Sequence, residues 1–184
     1  AEATDGLVAN GSDDHIDLSV AVRGVPVGLL HSVDIDDEVS IAADAGLVTL
    51  LSHGGARQSA LTTTVALAVR AAARDEAVPA QMSEPAGTGD ASSIEANLDG
   101  LIAASFAATR FEDAVFPQVA QGGAADTTGA LAGAIAGARF GASGIPQHLI
   151  DDLDARMYLS LAAPLFYRTA RRRRGTVLDL RKVD

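Results

Sequence analysis

The apolar positions along this chain recur with the period of an α-helix. In the segment 34–53, one helical face carries Ile41, Ala45, Val48 and Leu51. In the segment 54–76, the same spacing gives a face of Leu61, Val65, Ala68 and Ala72. β-branched and aromatic residues are too sparse in these runs to form a series of strands. The pattern therefore predicts an all-α fold, a compact bundle of several helices.

Further helical segments are predicted on both sides of a loop. A short apolar segment at 20–30 contains Pro26, which marks a kink or a first helical turn. Pro and Gly predict an exposed loop at 77–91. After the loop we predict helices at 92–110, 111–121, 126–140 and 146–174. The first of these helices begins with Ser92 or Ser93, and Glu95 or a neighbour can complete a capping box there. We expect Pro164 to interrupt the last helix.

Composition narrows the possible classes of function. The chain of 184 residues has a net charge of −10, which opposes general binding to nucleic acid and is compatible with a divalent cation. It contains no Cys, and therefore no disulfide and no thiolate ligand. No apolar run has the length of a membrane span, and the N-terminus does not resemble a signal peptide. We expect a cytoplasmic protein.

Charge and polarity divide the chain into three parts. We predict a polar N-terminal arm at 1–19, a helical domain at 20–170 and a basic C-terminal tail at 171–184. The tail begins with the run Arg171–Arg174, which suits the negative end of a helix dipole. A phosphate-rich partner is the second interpretation of this run.

The segment QGGAADTT, residues 121–128, is the first candidate for chemistry. Asp126 and Thr127 stand where a helix begins, so each can cap free backbone N–H groups. Gly122 and Gly123 allow a ligand to approach the main chain closely. The alternative is that Asp126 is only a capping residue and that the small residues only serve packing.

The helix after this turn has glycine at every fourth position. Small residues at this spacing form a smooth ridge, which lets a neighbouring helix come close; they are Gly129, Gly133, Gly137 and Gly141.

Three other polar positions are weaker candidates. His53 precedes a Gly pair and is either a capping residue or a ring that contacts a ligand. Arg23 lies alone in an apolar run, where it reaches the surface or holds an acidic neighbour. The cluster Ser12-Asp13-Asp14-His15 has the oxygen ligands that hard cations prefer, although such clusters in a polar arm are usually solvated.

Several segments together resemble one known family. QGGAADTTGALAGAIAGARFGASGIP, residues 121–146, resembles the C-terminal metal motif of the ADP-ribosylglycohydrolases, which include the dinitrogenase-reductase-activating glycohydrolases. In that motif Gly-Gly-Asp-X-Asp-Thr leads into an Ala/Gly helix that ends near Gly-X-X-X-Ile-Pro. Three earlier segments resemble the family in the same order, namely SVAVRGVPVGLL, TLLSHGGARQSALTTTVALAVRAA and SSIEANLDGLIAASFAATRFEDAVFPQVAQGG. The resemblance covers residues 10–150.

This resemblance implies an all-α fold whose central cleft holds Mg²⁺. It implies hydrolysis of the glycosidic bond between ADP-ribose and a modified side chain, with metal ions that orient the ribose and polarise a water. Carried over by position, Asp126 and Thr127 are metal ligands, and Asp126 is also the catalytic candidate. The predicted contacts to the ADP-ribosyl group are His53, Gly122, Gly123 and Thr128.

Two departures from the family pattern leave alternatives open. Ala124 stands where the family has the first Asp of its metal motif, and alanine cannot bind a metal. The family's N-terminal Thr-Asp-Asp triplet has no counterpart in the expected order, so we expect the N-terminal part of the family fold to be missing. The chain is then either a hydrolase that needs a complementary N-terminal half, or a catalytically inactive subunit that binds ADP-ribose. A plain helical interaction module is the third hypothesis.

The predicted partners follow from the same resemblance. They are ADP-ribose or an ADP-ribosylated protein, together with a complementary N-terminal chain or further copies of this chain. An exposed surface of Ala, Gly and Leu favours such an oligomer.

Overall fold

The computed structural model describes residues 18–33, 38–79 and 94–173, and these form helices and no strand. Two short 3₁₀ helices span Leu18–Arg23 and Ala142–Gly144. The eight α-helices of the described residues are α1 (Gly24–His31), α2 (Glu38–Leu50), α3 (Ala56–Ala73), α4 (Ile94–Ala107), α5 (Phe111–Ala120), α6 (Ala125–Phe140), α7 (Gln147–Asp151) and α8 (Arg156–Arg173). The predicted all-α class is confirmed.

Several predictions lie outside the described residues. They concern nearly all of the arm at 1–19, most of the loop at 77–91 and most of the tail at 171–184. The cluster Ser12-Asp13-Asp14-His15 belongs to this group as well. The predicted division of the chain into three parts therefore stays a prediction.

Helix α3 is the centre of the core. It packs against α1, α2, α6 and the 3₁₀ helix Leu18–Arg23. Its predicted apolar face is fully buried, and this confirms the positions Leu61, Val65, Ala68 and Ala72. Leu98 and Ile102 of α4 and Leu131 and Ile135 of α6 complete the same core. Burial of these side chains is the main source of stability, at about 25 cal/mol per Å² of apolar area.

The closest approach in the described structure joins α1 to α3 through two glycines. A methyl group added at Gly24 would overlap the carbonyl oxygen of Thr62 and lie 2.9 Å from the amide nitrogen of Ala66. One added at Gly28 would overlap the carbonyl oxygen of Ala66 in the same way. Because the obstacles are backbone atoms, no rotamer change can relieve these overlaps. The α1 backbone therefore rests directly on the α3 backbone.

Only the first half of the predicted glycine ridge on α6 contacts a neighbouring helix. At Gly129 a methyl group would lie 2.9 Å from the Val119 side chain of α5. At Gly133 it would reach ordinary contact with the α5 side chains. Added methyl groups at Gly137 and Gly141 would meet nothing within 4 Å. Gly141 instead ends α6 with a φ of 68°, as the predicted helix boundary requires.

Buried hydrogen bonds join the first three α-helices. The Thr49 hydroxyl of α2 donates to the Thr62 hydroxyl of α3 over 2.9 Å, and the Thr62 hydroxyl is also within reach of the Gln58 carbonyl. The buried His31 ring of α1 lies 3.0 Å from the Asp44 carboxylate of α2. These pairs satisfy polar groups that would otherwise be costly to bury.

Arg139 fixes the orientation of α6 against α4. Its guanidinium donates to the carbonyl oxygens of Phe106 and Ala108 over 2.6 Å and 2.7 Å, and it also reaches the carbonyl of Ser105. Carbonyls at the end of a helix have no partner within that helix, so a positive side chain is favourable there.

Two local predictions were wrong. Leu51 lies beyond the end of α2 and is 78% exposed, because the helix stops at Leu50 before the Gly54–Gly55 pair. Pro164 lies inside α8, and the chain instead breaks between α7 and α8. Water can hydrogen-bond the carbonyl that this proline leaves unpaired, because α8 is exposed. Glu95 pairs with Arg57. The capping box stays a prediction, because Ser92 and Ser93 lie outside the described residues.

None of the helices in the described ranges combines the length and the apolar character that a membrane span needs.

The glycine contact between α1 and α3 predicts opposite effects for two Gly→Ala substitutions. Gly28→Ala is expected to lower the free energy of unfolding by about 3 kcal/mol, because the new methyl group overlaps the α3 backbone. Gly46→Ala on α2 is the matched control, since its methyl group meets nothing within 4 Å. This control is expected to raise stability by about 0.5 to 1 kcal/mol through helix propensity. Urea denaturation followed by circular dichroism measures both, and equal effects would contradict the close contact.

Candidate functional site

The Gly-rich turn that joins α5 to α6 begins the candidate site. Gly122 and Gly123 have φ values of 71° and 64°, a left-handed conformation that other residues rarely adopt. The Gly122 amide closes the turn on the carbonyl oxygen of Val119. The two glycines therefore reverse the chain sharply enough to bring the end of α5 beside the start of α6.

Asp126 and Thr127 lie in the first turn of α6. The Asp126 carboxylate accepts a hydrogen bond from the Thr127 backbone amide over 2.7 Å. The helix begins one residue earlier, at Ala125, so Asp126 is inside the first turn and not the residue that precedes it. Its exposed carboxylate is also favoured there by the helix dipole. The predicted capping role is thus partly met, and the side chain remains accessible to a ligand.

Thr128 lines a cleft of about 490 Å³ beside this turn. The cleft is formed by the start of the first 3₁₀ helix, the first turn of α4, the end of α5 and the start of α6. Among the residues that the structure describes, those that line the cleft are all neutral, namely Leu18, Ile94, Asn97, Gln118, Gln121, Ala124 and Thr128. The Thr128 hydroxyl donates to the Ala124 carbonyl over 3.2 Å, and this holds the side chain at the wall. The three amide groups make the cleft suited to uncharged, hydrogen-bonding parts of a ligand.

His53 lies at the same end of the bundle but does not line this cleft. It is half-buried, and its Nδ1 atom is 2.7 Å from the Ser52 hydroxyl. One helical turn later, Arg57 forms a two-pronged ion pair with Glu95 of α4, and this pair joins the start of α3 to the start of α4. The structure therefore brings Thr128 and Ala124 together in one cleft and leaves His53 outside its lining.

Two carboxylates on α4 near the cleft have shifted pKa values in opposite directions. The hydrogen bond from Arg57 lowers the pKa of Glu95. Burial raises the pKa of Asp99, and the nearby negative charge of Glu95 adds to this effect. The first group is stabilised when charged, and the second is destabilised when charged.

The described residues do not complete a Mg²⁺ site. Asp126 and Thr127 offer one carboxylate and one hydroxyl, and Ala124 offers no side-chain oxygen. Within the described ranges, no group of three His, Cys, Asp or Glu residues could hold a metal ion. Hard cations take six or more oxygen ligands, several of them usually carboxylates or water.

Sequence analysis missed most of the cleft lining. Asn97, Gln118 and Gln121 are polar residues near helix ends, where amide side chains are usually solvated. The one available signal was that Gln121 directly precedes the Gly pair. Nothing in the local pattern indicated that Asn97 would face these residues, because it lies on a different helix.

The fold and this turn define an all-α protein in which a helix of small residues starts at a Gly-rich turn beside a cleft. Residues 2–175 match the sequence model of the ADP-ribosylglycohydrolase family, so the chain belongs to that family. Neither a curated protein nor a solved structure matches the chain. The resemblance of the motifs to this family is thereby confirmed, and the expectation that the N-terminal part of the family fold is missing stays a prediction.

The opposite pKa shifts predict opposite pH-dependent effects for two α4 substitutions. Asp99→Asn is expected to raise the melting temperature near pH 7, because the charged carboxylate is costly above its raised pKa. That gain is expected to vanish as the pH falls to about 4, near the ordinary pKa of aspartate. Glu95→Gln is expected to lower the melting temperature by about 2 °C near pH 7, a loss that also fades in acid.

Thermal unfolding at a series of pH values checks both substitutions. Each variant serves as the control for the other, since both replace a carboxylate on the same helix by an amide. Effects of the same sign at neutral pH would contradict the two environments described for Glu95 and Asp99.

Proposed function

We propose that this protein binds an ADP-ribosyl group at the cleft beside α6 and hydrolyses its glycosidic bond to a modified side chain. Family membership supports the class of reaction, an ADP-ribosylglycohydrolase-like hydrolysis. The observation that carries the proposal is the left-handed turn at Gly122 and Gly123, which adjoins both the exposed Asp126 carboxylate and the 490 Å³ cleft.

The substrate is proposed to bind through neutral hydrogen-bonding groups. The Gly pair lets the phosphate oxygens of ADP-ribose approach the main chain closely, and the Thr128 hydroxyl suits a ribose hydroxyl. Amides of the cleft wall, such as Asn97 and Gln118, suit the remaining polar edges. His53 is proposed to contact the substrate from the rim, at the start of α3.

Asp126 is proposed to be the catalytic carboxylate. Hydrolysis requires that a water forms a bond to the anomeric carbon while the bond to the modified side chain breaks. In this proposal Asp126 accepts the proton of that water, and the proton of the product side chain comes from solvent. Dependence on Mg²⁺ is part of the proposal only if further oxygen ligands come from a complementary N-terminal half or from residues outside the described ranges.

A second function is supported by a specific observation. Ala124 occupies the position of the family's first motif aspartate, and the described residues contain no group of three metal ligands of the His, Cys, Asp and Glu type. The alternative is therefore a family member that binds ADP-ribose without turnover, as a binding or structural subunit. Three further expectations stay predictions. They are a partner that is a second copy or a complementary chain, the absence of general binding to nucleic acid, and a cytoplasmic location.

Isothermal titration of the purified chain with ADP-ribose, with and without Mg²⁺, tests the proposal. We expect a dissociation constant below about 1 mM, and tighter binding when Mg²⁺ is present. Equal binding with and without Mg²⁺ would favour the binding subunit over the hydrolase. Absence of heat at millimolar ADP-ribose in both conditions would contradict both functions.

Restoration of the family aspartate tests the metal site directly. Ala124→Asp is expected to raise the affinity for Mg²⁺ by about tenfold, because it adds a carboxylate near Asp126 at an exposed position. Ala130→Asp adds the same charge at another exposed position of α6 and is the matched control. Titration of each variant with Mg²⁺ alone measures the difference. An equal gain in both variants would show only a general charge effect, and this would contradict a metal site at Asp126.

A further inference from the structure

The first turn of α4 forms part of the cleft wall and is also held from outside the cleft. Ile94 and Asn97 line the cleft. Glu95, which lies between them in the chain, accepts hydrogen bonds from the Arg57 guanidinium of α3 on both carboxylate oxygens, one of them over 2.8 Å. Two parallel hydrogen bonds fix the direction of a contact as well as its distance. The same turn therefore carries both a wall of the cleft and a directional contact with α3.

This contact and the cleft wall lie on opposite flanks of the α4 side that packs into the core. Leu98 is buried in the core, and Ile94 packs against the core from the same side of the helix. At about 100° per residue, Glu95 projects about 80° to one side of these two residues and Asn97 about 80° to the other. A rotation of α4 about its own axis that moves Glu95 away from Arg57 therefore also moves Asn97 relative to the cleft.

Apolar packing alone fixes this rotation less sharply than the ion pair does, because attraction between apolar side chains has no preferred direction. A rotation of about 20° carries a side-chain atom about 6 Å from the helix axis through about 2 Å. A shift of that size takes a hydrogen bond of about 3 Å beyond its working range. The directional contact at Glu95 therefore affects whether Asn97 can hydrogen-bond a ligand in the cleft.

The other end of α4 is held by a separate contact. Arg139 of α6 donates to the carbonyl oxygens of Phe106 and Ala108. These carbonyls lie about 17 Å or more along the helix from Glu95. Loss of the Arg57 contact is therefore expected to act on the first turn of α4, which lines the cleft, and to leave the end of the helix in place.

We infer that Arg57 is a positioning residue of the cleft. Through Glu95 it fixes the rotation of the first turn of α4, and it thereby holds the Asn97 amide where a ligand can hydrogen-bond it. Arg57 is not among the described residues that line the cleft. Both side chains of the pair are partly exposed, so its loss is expected to leave the fold intact. The effect on ADP-ribose rests on the proposed function, whereas the effect on α4 does not.

Hydrogen exchange of the full chain without ligand tests the effect on α4. In Arg57→Gln, the amides in the first half of α4 are expected to exchange about threefold faster, while those in its second half keep the parent rates. Arg156→Gln is the matched control, because it removes a similarly exposed pair, with Asp151, at the start of α8. The control is expected to keep the parent rates throughout α4. Parent rates in the first half of α4 of Arg57→Gln would overturn the inference.

Charge exchange tests whether Arg57 acts through Glu95. Arg57→Glu and Glu95→Arg each place like charges opposite one another, so each is expected to speed exchange in the first half of α4. The double variant restores opposite charges, and its exchange rates are expected to return to within about twofold of the parent rates. A double variant that exchanges faster than both single variants would overturn the inference.

Titration with ADP-ribose tests whether Arg57 acts on the ligand through Asn97. Arg57→Gln and Asn97→Ala are each expected to raise the dissociation constant about fivefold, the effect of one lost hydrogen bond. If Arg57 only positions Asn97, the double variant binds no more weakly than Asn97→Ala alone. Independent effects that multiply in the double variant would overturn the inference. Arg156→Gln is expected to bind as the parent chain does.

The two measurements separate this inference from the proposed function. A parent chain that does not bind ADP-ribose contradicts the proposed function, and the exchange rates then decide the inference by themselves. Faster exchange in Arg57→Gln that the charge-exchanged double variant reverses supports Arg57 as the residue that positions this cleft wall. Unchanged exchange overturns it, whatever the affinity of the parent chain for ADP-ribose.

Discussion

The close contact between the backbones of α1 and α3 is the constraint on which the rest of this structure depends. Gly24 and Gly28 allow that contact because any side chain there would overlap the main chain of α3. Helix α1 packs on α3, and α2, α6 and the first 3₁₀ helix pack against the same helix. The hydrogen bond between Thr49 and Thr62 is buried in this packing. The part-buried His31–Asp44 pair joins α1 to α2. Small changes at this contact therefore affect helices that are distant in sequence.

The candidate site is a consequence of this packing. The Arg57–Glu95 ion pair holds the starts of α3 and α4 together, and Arg139 ties α6 to the end of α4. As a result the start of α6 meets the first turn of α4 and the end of α5, and the space left between them is the cleft. The described part of its wall is neutral, while Asp126 beside it carries a charge. Such a division suits recognition by hydrogen bonds in the cleft and chemistry at its edge.

The proposed site involves several helices of the described structure. The cleft involves the starts of α4 and α6, whereas α8 contributes nothing to its described lining and makes its contact with α1. Membership in the ADP-ribosylglycohydrolase family supports the class of reaction proposed for the cleft. Within the described residues, no group of three His, Cys, Asp or Glu side chains could hold a metal ion.

The sequence by itself determined the helical class, the buried face of α3, the boundary of α6 at Gly141 and the sharp turn at Gly122 and Gly123. Each of these depends on residues that are neighbours along the chain, where helical period and backbone preference act directly. Only the tertiary structure decided that Gly24, and not Gly137, would meet a backbone. It also decided that Asn97 would face Thr128 and that Glu95 would pair with Arg57. These contacts depend on how helices that are distant in sequence pack against α3. A local sequence pattern carries no information about that packing.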